Sequence, residues 1–192
     1  MNRENEFGYS ERYDRVRAIQ ASYDASCLTY DSLYFEEQSS KLSFLKDLDL
    51  TVNGAILDIG CGTGISMQWM GAGVIVGVDI SQGMLGIASK KDFEVVQADM
   101  CSLPFRDEAF CVDTFFTSLH HALDTRTALT EAVRTLKADG LLVLSLLKAS
   151  DWISSIHSLN SMSEVCAIHM SDTGKDYLVI MKRQKESLFQ VA

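Results

Sequence analysis

A glycine-rich turn between two apolar segments constrains the fold of this chain most strongly. The segment from Ile56 to Gly64 reads I-L-D-I-G-C-G-T-G, and a second apolar run ends in G-V-D at Asp79. Apolar runs of this length are typical of buried parallel strands. Three alternating glycines predict a turn with positive φ angles, whose bare backbone a ligand can approach closely. The sequence therefore predicts a ligand at the end of the first strand, with Asp79 placed to accept hydrogen bonds from two ribose hydroxyls.

The turn departs from the dinucleotide-binding fingerprint, in which glycines occupy the first, third and sixth positions. Gly60, Gly62 and Gly64 alternate here, and Ile65 stands at the sixth position. This disfavours a nicotinamide-dependent oxidoreductase. The string D-I-G-C-G-T-G, followed by G-V-D-I-S, resembles instead the first motif and the following acidic motif of class I S-adenosylmethionine-dependent methyltransferases.

Strand and helix patterns alternate after residue 50. We predict strands at Ala55–Ile59, Val74–Val78, Phe93–Gln97, Cys111–Phe116 and Leu141–Leu147. We predict helices at Ile65–Met70, Gln82–Lys90, Arg126–Lys137 and Trp152–Leu159. Ser81 and Asp124 are placed as N-caps, and Gly140 as the glycine that follows a helix end. Such alternation predicts a parallel sheet with helices on both faces.

The C-terminal segment predicts a hairpin. Val165–Met170 and Tyr177–Lys182 are strand-like, and the link between them is too short for a crossover helix. We therefore expect an α/β fold with a Rossmann-like, doubly wound seven-stranded sheet, mostly parallel with one antiparallel strand in this hairpin. The resemblance implies the same sheet. We expect a helical extension or lid over residues 1–50 and the S-adenosylmethionine-binding methyltransferase domain over residues 51–185.

Composition excludes several functional classes. The net charge is −9, whereas a protein that binds nucleic acid unaided usually carries a basic face, so we expect no strong intrinsic nucleic-acid patch. No apolar run approaches the roughly 20 residues that span a bilayer, and the polar N-terminal segment lacks the apolar core of a signal peptide. We therefore expect a cytoplasmic protein with no membrane partner. The five cysteines are scattered and the histidines lack acidic partners at ligand spacing, so we expect no metal site.

The resemblance implies a set of cofactor-binding residues for S-adenosylmethionine. These are Asp58, Gly60, Cys61, Gly62, Gly64, Asp79, Ile80, Met84, Asp99, Met100, Thr117 and Tyr30. By resemblance, Asp58 lies near the ammonium group, Asp79 binds the ribose, and Asp99 accepts from the adenine amino group. Met84 either covers the adenine face or packs in the core.

The segment F-F-T-S-L-H-H, which ends at His121, follows the fourth strand. It resembles the S-x-x-H-H segment of quinone-biosynthesis and wobble-uridine tRNA methyltransferases. His120 or His121 could act as a general base, because a neutral imidazole takes up a proton near pH 7; the catalytic candidate is His120. The alternative is a histidine that packs beside the cofactor. Similarly, Tyr23 and Tyr30 either close over the sulfonium or pack structurally.

The sequence thus predicts an S-adenosylmethionine-dependent methyltransferase with an unidentified acceptor, and a small molecule is favoured because it needs only a pocket. The string Y-D-S-L-Y-F-E-E-Q, which begins at Tyr30, together with the His-His segment resembles small archaeal-type methyltransferases. This resemblance implies an alternative, methylation of tRNA or a translation factor together with a small zinc-ribbon activator subunit. A non-catalytic module that binds the cofactor or a partner is a further alternative. The retained glycines and the three aspartates, Asp58, Asp79 and Asp99, argue against it.

Overall fold

The computed structural model describes residues 3–42, 54–71 and 73–184. Its helices are α1 Arg3–Leu42, α2 Gln82–Ala88, α3 Thr125–Thr135 and α4 Trp152–Asn160. Its strands are β1 Ile56–Ile59, β2 Ile75–Asp79, β3 Glu94–Gln97, β4 Phe110–Phe116, β5 Leu136–Leu147, β6 Val165–Asp172 and β7 Asp176–Arg183. Short 3₁₀ helices lie at Ser66–Trp69, Ser89–Lys91 and Leu119–His121.

The strands form one seven-stranded sheet in the order β3-β2-β1-β4-β5-β7-β6. The pairs from β3 to β5 are parallel, whereas β7 runs antiparallel to both β5 and β6. The predicted mixed sheet and its C-terminal hairpin are therefore confirmed. Strand order reverses direction between β1 and β4, and the carboxyl ends of strands at such a switch point are where open α/β sheets bind ligands.

Side chains that alternate along the strands pack against layers on opposite faces of the sheet. Leu57 and Ile59 join the cluster that contains Ala128 and Leu129 of α3. Ile56, one residue out of phase, packs with the residues that flank the first 3₁₀ helix and with the last residue of α1. Because both faces of the sheet are covered, its central strands read as continuous apolar runs.

The predicted caps are confirmed, and two other local predictions are corrected. Ser81 and Asp124 accept hydrogen bonds from backbone amides at the starts of α2 and α3. The helix predicted over residues 65–70 is a single 3₁₀ turn. Gly140 does not follow a helix end, because α3 passes directly into β5 at Leu136. A Cβ at Gly140 would stand 2.8 Å from the Leu136 side chain, so the glycine permits close packing where the β4–β5 register shifts.

The N-terminal region forms one helix rather than several. α1 spans 40 residues, and the sequence from Tyr9 to Leu42 contains neither glycine nor proline to interrupt it. Over residues 13–42, where side-chain burial is described, about half of the side chains are exposed, and the buried ones are Lys41 and Leu42 in the last turn. The last part of the helical extension predicted over residues 1–50, together with its boundary to the next domain, lies outside the described residues.

Candidate active site

The glycine turn follows β1 in a left-handed conformation. The φ angles are +77° at Gly60, +55° at Gly62 and +79° at Gly64. The Gly60 amide donates to the carbonyl of Val78 at 2.7 Å, which binds the turn to the end of β2. A Cβ added at Gly60 would stand 2.4 Å from the Ser118 Cβ, whereas one at Gly62 would meet nothing within 4 Å. Gly60 therefore permits tight packing, and Gly62 faces open space.

Asp79 is fixed at the end of β2 by backbone amides. One carboxylate oxygen accepts from the Gly62 amide at 2.9 Å, and the other accepts from the Ser81 amide at 2.8 Å. Burial raises the pKa of Asp79, and the amide hydrogen bonds partly oppose that rise. Since each carboxylate oxygen has two lone-pair sites, the side chain keeps acceptor capacity for further donors.

A cavity of about 750 Å³, part of it open to solvent, lies above these strand ends. Most of the predicted cofactor residues line it: Tyr30, Gly60, Gly62, Asp79, Ile80, Met84, Asp99, Met100 and Thr117. We call the part formed by Gly60, Gly62, Asp79, Ile80, Asp99 and Met100 the strand-tip wall.

Three predicted cofactor residues lie behind the strand-tip wall. Asp58 does not reach the cavity: it is fully buried, and its two oxygens accept from the hydroxyls of Ser66 and Thr114. Burial raises its pKa to about 6. Cys61 is buried, and a Cβ at Gly64 would stand 2.9 Å from the Phe93 ring. These residues shape the turn, and the expected position of the Asp58 carboxylate near the ammonium group of the cofactor stays a prediction.

Helix α1 supplies a second side of the cavity, which we call the α1 wall: Val16, Ile19, Tyr23 and Tyr30. The sequence named Tyr30 as a site residue but gave no site role to the two aliphatic residues. Their helical spacing with Tyr23 was the available signal, since it placed all three on one face of a helix. The sequence did not show which part of the fold this helix face packs against.

The loop after β4 lies at the same cavity under backbone strain. Thr117 has a φ of +54°, an outlier for a β-branched residue. Its hydroxyl donates to Asp176 at 3.2 Å, and the same buried carboxylate forms a 3.1 Å ion pair with Lys41 of α1. Ser118 donates to the carbonyl of Ile59 at 2.6 Å. Contacts from β1, β7 and α1 thus hold the strained residue in place.

His121, rather than His120, lines the cavity. The Tyr23 hydroxyl lies 2.5 Å from His121 Nε2. Burial lowers the pKa of His121 to about 4, and burial raises the pKa of Tyr23 to about 12. The pair is therefore neutral at pH 7, with the phenol as donor and the imidazole as acceptor. The His120 ring packs behind the His121 ring at a tilt of 43°, with the ring centroids 3.9 Å apart. Burial lowers the pKa of His120 as well.

The loop after β3 carries the remaining predicted cofactor residues. One oxygen of Asp99 accepts from the amide of Cys101 at 2.8 Å. Farther along the loop, the Leu103 amide donates to Glu131 at 2.8 Å, and the Leu103 carbonyl accepts from Arg134 at 3.1 Å. Both partners belong to α3. The loop that presents Asp99 is thus fixed to a helix on one face of the sheet.

The described part of the chain offers neither a metal-binding cluster nor a membrane-spanning helix. Residues 3–42, 54–71 and 73–184 contain no group of three or more His, Cys, Asp or Glu side chains that could hold a metal ion. In the same part of the chain, no helix combines the length and apolar character needed to cross a membrane.

Comparison with known proteins identifies the domain. Residues 57–144 match the family described as "Methyltransferase domain". This chain carries a class I S-adenosylmethionine-dependent methyltransferase domain. The resemblance drawn from the sequence is confirmed, and S-adenosylmethionine is the cofactor that the family implies. The methyltransferase domain therefore contains the glycine turn, Asp79, Asp99 and the loop after β4.

The domain has relatives of differing activity. A demethylmenaquinone methyltransferase of Paenarthrobacter aurescens is 34% identical over 102 residues, which cover 51% of this chain and 40% of that protein. A tRNA (carboxymethyluridine(34)-5-O)-methyltransferase of Arabidopsis thaliana is 31% identical over 142 residues, which cover 72% of this chain and 34% of that protein. The chain thus spans less than half the length of these relatives.

Solved structures confirm the fold. A chain from the complex of the Haloferax volcanii Trm112 methyltransferase activator with a methyltransferase matches with a TM-score of 0.72 at 14% identity. The match covers 85% of this chain and 98% of that chain. The methyltransferase domain also fits its cofactor chemically, because Gly62 leaves open space where a Cβ would stand and Asp79 offers a fixed carboxylate at the cavity edge.

Proposed function

We propose that this chain transfers a methyl group from S-adenosylmethionine to a small, uncharged acceptor. The observation that carries the proposal is the uneven charge of the cavity lining. Within the described residues, Asp79 and Asp99 are the charged side chains that line it, and both belong to the strand-tip wall. The remaining lining is apolar, aromatic or hydroxylic, and includes Val16, Ile19 and Leu123. An acceptor bound there would meet no charge to pair with its own.

The strand-tip wall suits the cofactor. We assign the methionine end to Gly60 and Gly62, the ribose to Asp79, and the adenine to Asp99 and Met100. When bound, the cofactor supplies a methyl group already activated by a positive sulfonium. The residues of this chain bind and orient that group, and the α1 wall limits the access of water to it. Rate enhancement would come chiefly from alignment of the two reactants.

The neutral pair formed by Tyr23 and His121 bears on the acceptor. A base with a pKa of about 4 takes a proton poorly at pH 7, and the Nε2 atom of His121 already accepts from Tyr23. A neutral acceptor that carries no proton at the reacting atom, or releases it to solvent only after the methyl group is transferred, therefore suits this site best. His120 lies outside the lining, so we do not assign it the role of a base.

The test is transfer of labelled methyl groups. The purified chain is incubated with labelled S-adenosylmethionine and, in separate reactions, with small-molecule, RNA and protein fractions. We expect label in the small-molecule fraction, retained when charged compounds are removed by ion exchange. Label confined to charged compounds, to RNA or to protein would contradict the proposal. A variant with Asp79→Ala serves as the control for cofactor-dependent transfer.

A second candidate is methylation of tRNA with the help of an activator subunit. Two observations favour it: the tRNA methyltransferase relative from Arabidopsis thaliana and the fold shared with the partner of the Trm112 activator. The net charge of −9 opposes binding of RNA by this chain alone. We would therefore expect label in tRNA only when a small zinc-ribbon activator is added. No label with or without it would reject this candidate.

A thermal-shift assay, combined with the transfer assay, distinguishes cofactor binding without turnover from the two proposed methyl-transfer reactions. A ligand at a hundred times its dissociation constant stabilises a protein by about 2.7 kcal/mol. S-adenosylhomocysteine should raise the melting temperature, and NAD should not. A shift without transfer to any fraction would support a non-catalytic module.

A further inference from the structure

A Tyr-Asp pair occurs twice in α1, at Tyr23-Asp24 and Tyr30-Asp31. The two pairs are seven residues apart, close to two helical turns, so they lie on the same side of the helix. The tyrosines line the cavity. The aspartates instead contact two neighbouring loops of the methyltransferase domain, and neither lines the cavity.

Asp31 contacts the glycine turn. One of its carboxylate oxygens accepts from the hydroxyl of Thr63, the residue between Gly62 and Gly64. The other oxygen forms a 2.8 Å ion pair with Lys91, which follows α2. A single α1 side chain thus joins the turn after β1 to the segment after α2.

Asp24 contacts the start of α2. One oxygen accepts from the Ser81 hydroxyl at 2.6 Å and from the Gly83 amide at 2.8 Å. A Cβ at Gly83 would stand 3.1 Å from that oxygen, so glycine permits the close approach. Ser81 follows Asp79 by two residues, and its amide donates to Asp79. The contact therefore lies next to the proposed ribose site.

We propose that Asp24 and Asp31 are positioning residues that hold α1 against the strand tips and so set the rate at which the cofactor enters and leaves. The α1 wall forms one side of the cavity, and the carboxylates of Asp24 and Asp31 on the same helix bind segments that adjoin the strand-tip wall. Separation of the two walls breaks both sets of contacts. The inference rests on the cofactor of the domain and not on the identity of the acceptor.

The test is the kinetics of S-adenosylhomocysteine binding to the full chain by surface plasmon resonance. We expect the double variant Asp24→Ala/Asp31→Ala to raise both the association and the dissociation rate constants by about tenfold or more, because the loss of even one hydrogen bond to a charged group is worth about that factor. The dissociation constant should change much less. Asp14→Ala, an exposed carboxylate on the same helix, is the matched control and should change neither rate. A rise in the dissociation rate alone, or unchanged rates, would overturn the proposal.

A surface variant tests the same contact without altering α1. Lys91→Met removes the ion pair with Asp31 and should speed both rate constants by a smaller factor. In the parent chain, dissociation should accelerate as salt screens this half-exposed pair, and the acceleration should weaken in Lys91→Met. A salt response unaffected by the substitution would count against the inference. If the parent chain itself does not bind S-adenosylhomocysteine, it is the proposed function that fails.

Discussion

The two walls of the cavity are built by different means. The strand-tip wall depends on backbone: positive φ angles at Gly60 and Gly62, and amides that fix the Asp79 carboxylate. The α1 wall depends on side chains, which project from a regular helix and reach their partners through hydroxyls and carboxylates. Few residue types tolerate the positive φ angles of the turn, whereas the loss of one side-chain contact of α1 leaves the other contacts in place. We therefore expect substitutions in the strand-tip wall to have the larger effects.

The largest effect should come from Gly60→Ala. A left-handed alanine costs about 1–2 kcal/mol, and the clash with Ser118 adds overpacking of similar size, so we expect the free energy of unfolding to fall by about 3 kcal/mol. Gly62→Ala is the matched variant, with positive φ but open space around the new Cβ. It should lose only about 1 kcal/mol. Chemical denaturation of both variants measures the difference.

Gly62→Ala should weaken cofactor binding more strongly than it lowers stability. Its new methyl group would stand in the cavity, so affinity for S-adenosylhomocysteine should fall about tenfold or more although the protein stays folded. Equal losses of stability in the two glycine variants would show that backbone strain, and not packing against Ser118, governs the turn. Unchanged affinity in Gly62→Ala would remove that residue from the cofactor site.

Asp79→Ala should have the next largest effect. Hydrogen bonds to a charged group contribute about 1.5–3 kcal/mol each, and we expect a loss of about 2 kcal/mol in cofactor binding, or about thirtyfold. Isothermal titration with S-adenosylhomocysteine provides the measurement. Asp14→Ala again serves as the control. If Asp79→Ala binds as tightly as the parent chain, the assignment of the ribose to the strand-tip wall is wrong.

The same contrast explains what the sequence could predict. The glycine turn and Asp79 follow from local rules, because a strand end, positive φ and strand order are all written in short motifs. Their positions at the cavity were accordingly anticipated. The hairpin between β6 and β7 was equally accessible, since its short link fixes antiparallel pairing.

The residues of the α1 wall were less accessible, because their roles depend on partners distant in sequence. Val16 and Ile19 read only as an apolar helix face until the loops they meet are known. The surroundings of Asp58 could not be predicted for a related reason: the Thr114 hydroxyl that binds its carboxylate lies on β4, distant in sequence. Gly140 was misread because the direct passage of α3 into β5 left no loop to detect.

Asp58 and His121 should make the stability of the protein depend on pH in opposite directions. Asp58, behind the strand-tip wall, has a pKa raised from 3.8 to about 6. Its contribution is present below pH 3.8 and is lost as the pH rises through about 6. His121 has a pKa lowered from 6.5 to about 4, so its contribution is present above pH 6.5 and is lost as the pH falls through about 4.

Two variants separate these contributions in urea titrations between pH 4 and pH 7. In the parent chain, Asp58 should lower the free energy of unfolding by on the order of 1 kcal/mol as the pH rises, and Asp58→Asn should abolish this decrease. His121→Gln should abolish an increase of about 0.5 kcal/mol in the free energy of unfolding with rising pH. This contribution is smaller because solvent screens the partly exposed ring. His157→Gln, on the exposed side of α4, is the control. Parallel pH profiles in all three variants would contradict the assignment of opposite slopes.

The smallest effect concerns the α1 wall and the charge of the cofactor. The Tyr30 ring lines the cavity, and the Tyr34 ring packs against it with centroids 4.8 Å apart but does not line the cavity. An aromatic face attracts a sulfonium by about 0.5–1 kcal/mol at an accessible site. Tyr30→Leu should therefore weaken binding of S-adenosylmethionine about threefold and leave binding of neutral S-adenosylhomocysteine unchanged, whereas Tyr34→Leu should affect neither. Equal weakening for both ligands would mean that the ring acts through apolar contact alone, and Tyr30 would then contribute nothing to discrimination between the two forms of the cofactor.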